Sequence, residues 1–386
     1  MVVEQCQETI AAFESDGRSK RQFEFMGACV ACYSDEVDLI DWLHHNFAQT
    51  GVDASTRPPN IRVYASKSER LFVDLYGVGW HDSAEKTITT PLTPNVDLIY
   101  RKSRNRYAKG AGFYVLFKAS RQILVVSPHD ALSRRMHVML IIRRAFQMLL
   151  VERGWVLFHA ACVAKAGMGI GIAGGKHAGK TSTLINLLSR LGCDLIANDK
   201  ILLKARDGDL LASAPPQKVN IRVGTVAHDQ HLQRWLREEG QTTYPNMQRE
   251  QIAKIEQMTS AETLSERAEK IVLSPQELCD LYHVSIVPWS KLKLLLIPEY
   301  VPTLTRSRLV RQTHGAVPAL APHFLAMSCR QTYLDRLFGF DGSVIERRCQ
   351  SLLQEPFRRL PIYRLYQSAA TNAHSAELVQ ELIETL

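Results

Sequence analysis

The segment GGKHAGKT, residues 174 to 181, has the residue types and spacing of a phosphate-binding loop. Four residues separate Gly174 from Gly179, and Lys180 and Thr181 follow Gly179 directly. This spacing fits the P-loop pattern. Glycines let the backbone turn tightly, so that successive N–H groups point at phosphate oxygens. The Lys180 ammonium can reach the β and γ phosphates, and the Thr181 hydroxyl can ligate the Mg²⁺ that bridges them. The segment therefore predicts a site for ATP and Mg²⁺, formed by Gly174, Gly175, Lys176, His177, Ala178, Gly179, Lys180, Thr181 and Ser182.

The residues on either side of the loop supply the setting that such a loop needs. The preceding segment predicts a strand from Val156 to Ala164, a Gly-rich turn, and a second short strand from Gly169 to Ala173. The following segment, TSTLINLLSRLG, has leucines at helical spacing and ends at Gly192, a typical residue for the end of a helix. The positive end of that helix would add to the attraction for phosphate.

A carboxylate is expected near the loop, because Mg²⁺ prefers oxygen ligands and takes one from an acidic residue in P-loop proteins. The segment CDLIANDKILL provides it, since Asp199 ends a short apolar run and follows Thr181 by 18 residues. Thr181 and Asp199 are therefore the predicted metal ligands. Lys180 and Asp199 are also predicted to take part in catalysis.

A third group of polar residues lies in PPQKVNIRVGT, where Lys218, Asn220 and Arg222 alternate with apolar residues. Residues two apart in an extended segment share a face, so these three side chains would project together. They could contact the acceptor or stabilise the charge of the transition state. Equally, they could form a basic edge strand that charge keeps soluble.

Taken together, FHAACVAKAG, GIAGGKHAGKT, LIANDKILL and PPQKVNIRVGT resemble the HPr kinase/phosphorylase superfamily, and most closely the HPr-kinase-related proteins of the branch called HprK-related kinase B. The resemblance covers residues 150 to 225. It implies an α/β fold whose P-loop kinase core is of the HPr kinase/PEP carboxykinase type. It also implies ATP-dependent transfer of the γ-phosphoryl group to a hydroxyl acceptor, either a Ser of a protein or peptide or a small molecule.

The resemblance also implies roles for His159, Asn198 and Asp199. In that family a His ends the strand before the P-loop strand, and His159 has this position. An acidic pair follows the loop helix, one residue accepting the hydroxyl proton and the other helping to hold the metal; here the pair is Asn198 and Asp199. Because an Asn side chain cannot accept a proton, three alternatives stay open. Asp199 serves both purposes, or Asp199 holds the metal while His159 is the base, or the protein binds nucleotide without transferring phosphate.

The sequence predicts two domains, an N-terminal α+β domain at residues 1–128 and a catalytic P-loop domain at residues 129–386. In the first, FEFMGACVACYS is predicted as a strand, EVDLIDWLHHNF as a helix, IRVYASKSERLFVDLYG as one or two strands, and residues 114–126 as a hairpin around Ala119 and Ser120. A long helix ending at Gly154 joins the domains. In the second, residues 228–270 are predicted as inserted polar helices, LKLLLIP and residues 360–366 as strands, and HGAVPALAPHFLAM and SAELVQELIETL as helices.

Composition points to a cytoplasmic globular protein, since 46% of the 386 residues are hydrophobic but no run approaches 18 apolar residues. Eight cysteines in a chain of this length do not indicate a disulfide framework. Cys29 and Cys32 lie in an apolar segment, which favours core packing over a metal or redox site. The net charge of +8 is concentrated in part at RKSRNRYAK, residues 101–109, and in the Arg pairs at 134–135 and 143–144. Such clusters bind nucleic acid in some proteins, but here a solvated face or a site for an acidic partner is the simpler interpretation.

Three functions from different classes follow. The main expectation is a kinase that binds ATP and Mg²⁺ and phosphorylates a hydroxyl acceptor. The first alternative is a nucleotide-binding sensor or regulatory module without phosphotransfer, and the second is an ATPase that acts on nucleic acid. The family resemblance further implies a homo-oligomer and a pathway partner such as an ATP-grasp enzyme.

Overall fold

The structure is a computed structural model that describes most of the chain. The described residues are 1–15, 19–48, 53–54, 57–78, 87–102, 111–128, 130–238, 270–324 and 335–386. The chain divides into two compact units, which are Met1–Arg153 with Cys329–Asp341 and Gly154–Ser328 with Gly342–Leu386. Each unit combines helices with a β-sheet, as expected for the mixed α/β class that the sequence predicts.

The first unit contains an eight-stranded sheet. Its strands are β1 (Ser19–Phe25), β2 (Ala28–Ser34), β3 (Asp53–Ala54), β4 (Ile61–Ser66), β5 (Thr87–Thr93), β6 (Val96–Lys102), β7 (Ala111–Phe117) and β8 (Gln122–Val126). The order across the sheet is β3-β1-β2-β4-β8-β7-β6-β5. β4 is parallel to β2 and β8, and the other neighbours are antiparallel. Its helices are α1 (Val2–Ser15), α2 (Val37–Ala48), α3 (Glu69–Tyr76) and α4 (Ala131–Glu152).

Two segments of this unit differ from the sequence prediction. FEFMGACVACYS is divided between β1 and β2 by a turn at Met26 and Gly27, whose φ angles are +51° and +76°. Two consecutive residues at positive φ give the twist that a tight hairpin requires. The segment at residues 61–77 contains β4 and then α3, because Ser68 caps the helix by accepting a hydrogen bond from the Leu71 amide at 3.2 Å. The predicted hairpin at residues 114–126 is confirmed by β7 and β8.

The helix α4 belongs to the first unit, because it packs against β2 and β4. The predicted domain boundary at residue 128 precedes this helix, whereas the compact units separate after Arg153. Arg134 of α4 is buried and donates two hydrogen bonds of 2.6 Å to the Glu36 carboxylate, which lower the pKa of Glu36. One member of the predicted basic Arg pairs is therefore part of a partly buried ion pair. Residues 103–109 of the predicted basic segment lie outside the described residues.

The second unit contains a nine-stranded sheet and a separate two-stranded ribbon. The sheet strands are β9 (Val156–Phe158), β10 (Ala160–Lys165), β11 (Met168–Ala173), β12 (Asp194–Ala197), β13 (Ile201–Arg206), β14 (Asp209–Ser213), β17 (Trp289–Tyr300), β18 (Arg308–Arg311) and β19 (Ile362–Gln367), and the ribbon strands are β15 (Val219–Arg222) and β16 (Lys270–Leu273). The main order is β12-β10-β11-β17-β14-β13-β9, and β19 pairs with β17 and β18. β17 is parallel to both β11 and β19.

The later helices are α5 (Lys180–Leu191), α6 (Val223–Val226), α7 (Gln230–Glu238), α8 (Pro275–Tyr282), α9 (Asp335–Phe338, in the first unit), α10 (Gly342–Gln354), α11 (Pro356–Arg359) and α12 (Asn372–Glu384). α5 carries Leu184, Leu187 and Leu188, which are buried in one core with Ile170 and Ile172 of β11. Full burial of one such side chain contributes about 1.5–3 kcal/mol, so the apolar face of α5 fixes the helix to the sheet.

Most predicted elements of this unit are confirmed, including the strands that became β17 and β19 and the C-terminal helix α12. The predicted single strand from Val156 to Ala164 is instead two strands, β9 and β10, with His159 between them. HGAVPALAPHFLAM begins with a 3₁₀ helix at His314–His323, which contains two prolines that cannot donate helical hydrogen bonds. Residues 239–269, most of the predicted polar insertion, lie outside the described residues.

The cysteines confirm the expectation of core packing. Cys29 and Cys32 lie on β2 with exposed fractions of 2% and 0%. Burial raises the pKa of the Cys32 thiol to about 12, so this side chain stays a neutral thiol.

Among the helices of the described residues, none has the length and apolar character needed to cross a membrane.

Candidate functional site

The predicted phosphate-binding loop lies between β11 and α5. Gly174 follows the last residue of β11, and α5 begins at Lys180 directly after Gly179. The Lys180 ammonium donates hydrogen bonds to the backbone oxygens of Gly174 at 2.6 Å and Gly175 at 2.9 Å. The Lys180 side chain therefore lies across the inside of the loop that precedes its own helix.

The loop has the shape and the donors that fit a phosphate chain. Gly179 has φ +99°, and an added Cβ there would lie 2.8 Å from the Gln367 side-chain nitrogen. An added Cβ at Gly174 would lie 3.1 Å from the Ala178 Cβ. The N-cap residue of α5, Gly179, makes no side-chain capping bond, which suits binding of an anion by the first amides of the helix. Gly175, Lys176 and His177 are exposed, and Ala178, Thr181 and Ser182 are partly buried.

A residue that the sequence analysis does not identify, Gln367, supports the end of the loop and the first turn of α5. Gln367, at the end of β19, is 1% exposed and donates a hydrogen bond of 2.6 Å to the Thr183 hydroxyl. Thr183 in turn donates to the Gly179 backbone oxygen at 3.0 Å. Behind them, the Asn186 side chain donates to the Ser375 hydroxyl of α12 at 2.9 Å. The first half of α5 is thus tied to strands and helices from the C-terminal part of the chain.

Strand pairing explains how His159 reaches Asp199. His159 links β9 to β10, and residues 198–200 link β12 to β13. Because β9 pairs with β13 and β10 pairs with β12, the two links run side by side. The pairs Phe158↔Ile201 and Cys162↔Ala197 are on either side of them. As a result, His159 Nε2 lies 3.1 Å from Asp199 Oδ1.

The electrostatics of this pair determine its proton positions. Burial acts to raise the pKa of Asp199, but the hydrogen bond from His159, the electrostatic interaction with that ring and the positive charges of Lys200 and Lys180 outweigh it and lower that pKa. Asp199 is therefore an ionised carboxylate near neutral pH. A carboxylate only accepts hydrogen bonds, so His159 Nε2 carries the proton between the two residues. Burial lowers the pKa of Lys180, and the nearby charge of Asp199 opposes that shift.

Asn198 faces away from Asp199 toward the segment before β15. Its side-chain nitrogen donates to the Lys218 backbone oxygen at 3.3 Å, and the Gln217 side chain donates to the Lys200 backbone oxygen at 2.6 Å. The Asn198 side-chain oxygen is buried and accepts no hydrogen bond from the described residues.

A second histidine, His323, also lies at this place and was not predicted. The His159 amide donates to the His323 backbone oxygen at 2.7 Å, and the two ring centroids are 6.2 Å apart. Burial and the positive charges of His159 and Lys180 lower the pKa of His323, although the backbone hydrogen bond opposes them. His323 ends the 3₁₀ segment, which contains no motif that marks it as a site residue.

The structure also brings part of the third predicted group to the loop. Asn220 and Arg222 lie on the less buried side of β15, and Lys218 precedes the strand. Arg222 Nη2 lies 3.4 Å from His177 Nε2 of the loop. The Ser182 hydroxyl lies 3.1 Å from that of Thr225. The residues predicted from the sequence as part of the site thus lie on the loop, in the first turn of α5, on the two links, or on β15 and just before it.

A metal site at this place would have few protein ligands. Among the described residues, no group of three or more His, Cys, Asp or Glu side chains could hold a metal ion. Asp199 with Thr181 nevertheless fits Mg²⁺, because that ion usually takes one or two protein oxygens and completes its shell with phosphates and water.

Comparison with solved structures shows a distant similarity. No protein-family model and no curated protein matches the chain. Among solved structures, the chain is similar to the HPr(Ser) kinase/phosphatase from Coxiella burnetii at 11% sequence identity and a TM-score of 0.27. The alignment covers 59% of this chain and 94% of that one. Because this TM-score is too low to support an assignment, the function is inferred from the residues of the site itself.

Proposed function

We propose that this protein is an ATP-dependent kinase that transfers the γ-phosphoryl group to a hydroxyl acceptor. We also propose that its second unit has a P-loop core of the HPr kinase/PEP carboxykinase type. The single observation that carries the proposal is the hydrogen bond between His159 and Asp199 beside Lys180 of the phosphate-binding loop. It combines a base, a carboxylate and a phosphate-binding cation at one place.

The loop would bind the phosphates of ATP. The uncapped amides of α5 and the backbone of residues 174–179 supply hydrogen-bond donors, and Lys180 supplies a positive charge. On binding, Lys180 would exchange its bonds to Gly174 and Gly175 for bonds to phosphate oxygens. Because phosphoryl transfer depends mainly on positioning and charge stabilisation, these contacts supply much of the catalysis.

Asp199 and Thr181 would hold Mg²⁺. When bound, the ion neutralises charge on the β and γ phosphates. Asp199 Oδ1 accepts from His159, which leaves its second oxygen for the ion. The ionised state of Asp199, favoured by its lowered pKa, suits this role.

His159 would accept the proton of the acceptor hydroxyl. With the proton on Nε2 directed at Asp199, the other ring nitrogen of a neutral His159 is an acceptor. The acceptor oxygen forms a bond to the γ phosphorus, and the bond from that phosphorus to the bridging oxygen breaks. ADP leaves with the electron pair, and the hydroxyl proton goes to His159 Nδ1. Asp199 stabilises the imidazolium that forms, as a carboxylate does behind a catalytic histidine in other enzymes.

The test is transfer of label from γ-labelled ATP, with protein and metabolite extract from the source as the acceptor. We compare the wild type with Lys180→Ala, and use Arg190→Gln as a control because it removes a positive charge from the exposed last turn of the same helix. Label should move to a new species in the wild type and R190Q, and transfer should fall at least about 100-fold in K180A.

Binding of ADP·Mg²⁺, measured on the same proteins, separates the alternatives. Binding of ADP·Mg²⁺ without label transfer from ATP to any acceptor would contradict the kinase proposal and favour a nucleotide sensor. No binding at all would reject a nucleotide site at the loop.

A further inference from the structure

The ribbon beside the loop places two positive charges directly opposite each other. In the register of β15 and β16, Arg222 pairs with Lys270 and Ile221 pairs with Ile271. The two isoleucines are fully buried, so the neighbouring pair projects from the opposite face of the ribbon. Like charges at directly opposed positions destabilise an antiparallel pair.

The loop adds two more basic side chains at the same place. Arg222 Nη2 lies 3.4 Å from His177 Nε2, and Lys176 is the neighbour of His177 in the loop. The positive charge of Arg222 lowers the pKa of His177, and some burial and the charges of Lys176 and Lys270 act in the same direction. We call Lys176, His177, Arg222 and Lys270 the cationic cluster.

The cationic cluster has no acidic side chain to neutralise it in the part of the chain that the structure describes. None of Lys176, Arg222 and Lys270 forms an ion pair with a carboxylate there. By contrast, Lys291 and Lys293, at the other end of the sheet, both pair with Asp209. The four basic side chains of the cationic cluster could therefore be neutralised by a negative charge from outside the described residues.

We propose that the cationic cluster binds an anionic group, a phosphate or a carboxylate, on the acceptor substrate. This inference rests on the proposed function and narrows the acceptor to a hydroxyl compound or segment with a negative group near its reacting oxygen. The phosphates of ATP have their own partners in Lys180 and the α5 amides, whereas Arg222 and Lys270 come from a separate ribbon. A guanidinium beside an ammonium suits a group with two or three oxygens, because Arg can donate two parallel hydrogen bonds.

The test is calorimetric binding of inorganic phosphate to protein saturated with ADP·Mg²⁺, so that nucleotide already occupies the loop. The variant is R222Q/K270Q. The matched control is R190Q/R206Q, which removes the same charge from the exposed far ends of α5 and β13. Wild type and control should bind phosphate with a Kd at or below about 10 mM. R222Q/K270Q should bind it at least about tenfold more weakly and keep its ADP·Mg²⁺ affinity within about threefold.

Malonate in place of phosphate distinguishes the two anions, because a carboxylate site prefers malonate and a phosphate site prefers inorganic phosphate. Two results would overturn the anion site while leaving the kinase proposal intact. In the first, R222Q/K270Q binds each anion as tightly as the wild type does; in the second, the wild type binds neither anion. Failure of the wild type to bind ADP·Mg²⁺ would reject both.

Discussion

His159 Nε2 lies 3.1 Å from Asp199 Oδ1, although the two residues are 40 positions apart in the chain. They meet because the link between β9 and β10 runs beside the link between β12 and β13. Neither link is long enough to move independently, since each joins strands that are paired at both ends. The geometry of the pair is thus set by the sheet.

From this pair we predict different losses for two substitutions. His159→Gln removes the proposed base and should lower kcat for label transfer about 10²–10³-fold. Asp199→Asn removes the proposed Mg²⁺ ligand and the partner that fixes the histidine tautomer, and should lower kcat about 10³–10⁴-fold. If H159Q retains kcat within about threefold of the wild type, Asp199 itself is the base.

Gly179 should tolerate no side chain. Its φ of +99° and the 2.8 Å approach of Gln367 to an added Cβ predict that Gly179→Ala destabilises the protein by about 1–3 kcal/mol and abolishes nucleotide binding. Gly175→Ala is the matched control, since an added Cβ there meets no atom within 4 Å. Its free energy of unfolding should stay within about 0.5 kcal/mol of the wild type. Urea unfolding measures both, and equal losses in the two variants would contradict the strain at Gly179.

Gln367 and Thr183 should be energetically coupled. Their 2.6 Å hydrogen bond is buried, so a double-mutant cycle with Gln367→Ala and Thr183→Val should give a coupling of about 0.5–1.5 kcal/mol in urea unfolding. Ser189 lies on the same helix and bonds to the Asn186 backbone instead. A cycle of Gln367→Ala with Ser189→Ala should therefore show less than about 0.5 kcal/mol. Equal couplings in both cycles would mean that Gln367 does not act through Thr183.

Stability should depend on pH through Asp209. Hydrogen bonds from Lys291 and Lys293, at 2.7 Å and 2.6 Å, lower the pKa of Asp209 to about 2. Because the folded pKa is below the unfolded value of about 3.9, the stabilisation is complete well above pH 4 and is lost as the pH falls toward 2. The gap in urea midpoint between wild type and Asp209→Asn should shrink over that range.

The two lysines supply the control for this pH dependence. In the K291Q/K293Q background, Asp209→Asn should change the urea midpoint much less than it does in the wild-type background. Added salt should also reduce the difference in urea midpoint between the wild type and D209N, because Asp209 and its two lysines are near the surface. A gap between wild type and D209N that is constant from neutral pH to about pH 2 would contradict the assignment.

The loop between β11 and α5 and the helix after it could be predicted from the sequence because their information is local. Glycine spacing, the lysine and the leucine pattern of α5 all lie within a short segment, and α5 ends at Leu191 with Gly192 as its C-cap. The residues Gln367 and His323 could not be found in this way. Each reaches the site through strand pairing or a backbone contact with a distant segment, and neither belongs to a motif.

The prediction errors have a similar cause. The sequence predicts one long strand through His159, because Val156 to Ala164 is continuously apolar apart from this residue. An apolar run indicates burial but does not indicate that its two halves pair with different strands. The hairpin at Met26 and Gly27 was missed for the same reason, since both of its strands are largely apolar near the turn.

The tie between Thr183 and Gln367 spans 184 residues, which affects the order of events during synthesis. At about 5–20 residues per second, a ribosome adds the intervening segment in roughly 10–40 s. Throughout that time the loop and α5 have emerged without the strand that supports them. The nascent chain therefore carries the complete GGKHAGKT motif before its shape is fixed, and under the proposed function nucleotide would stabilise the second unit only after β19 has been added to its sheet.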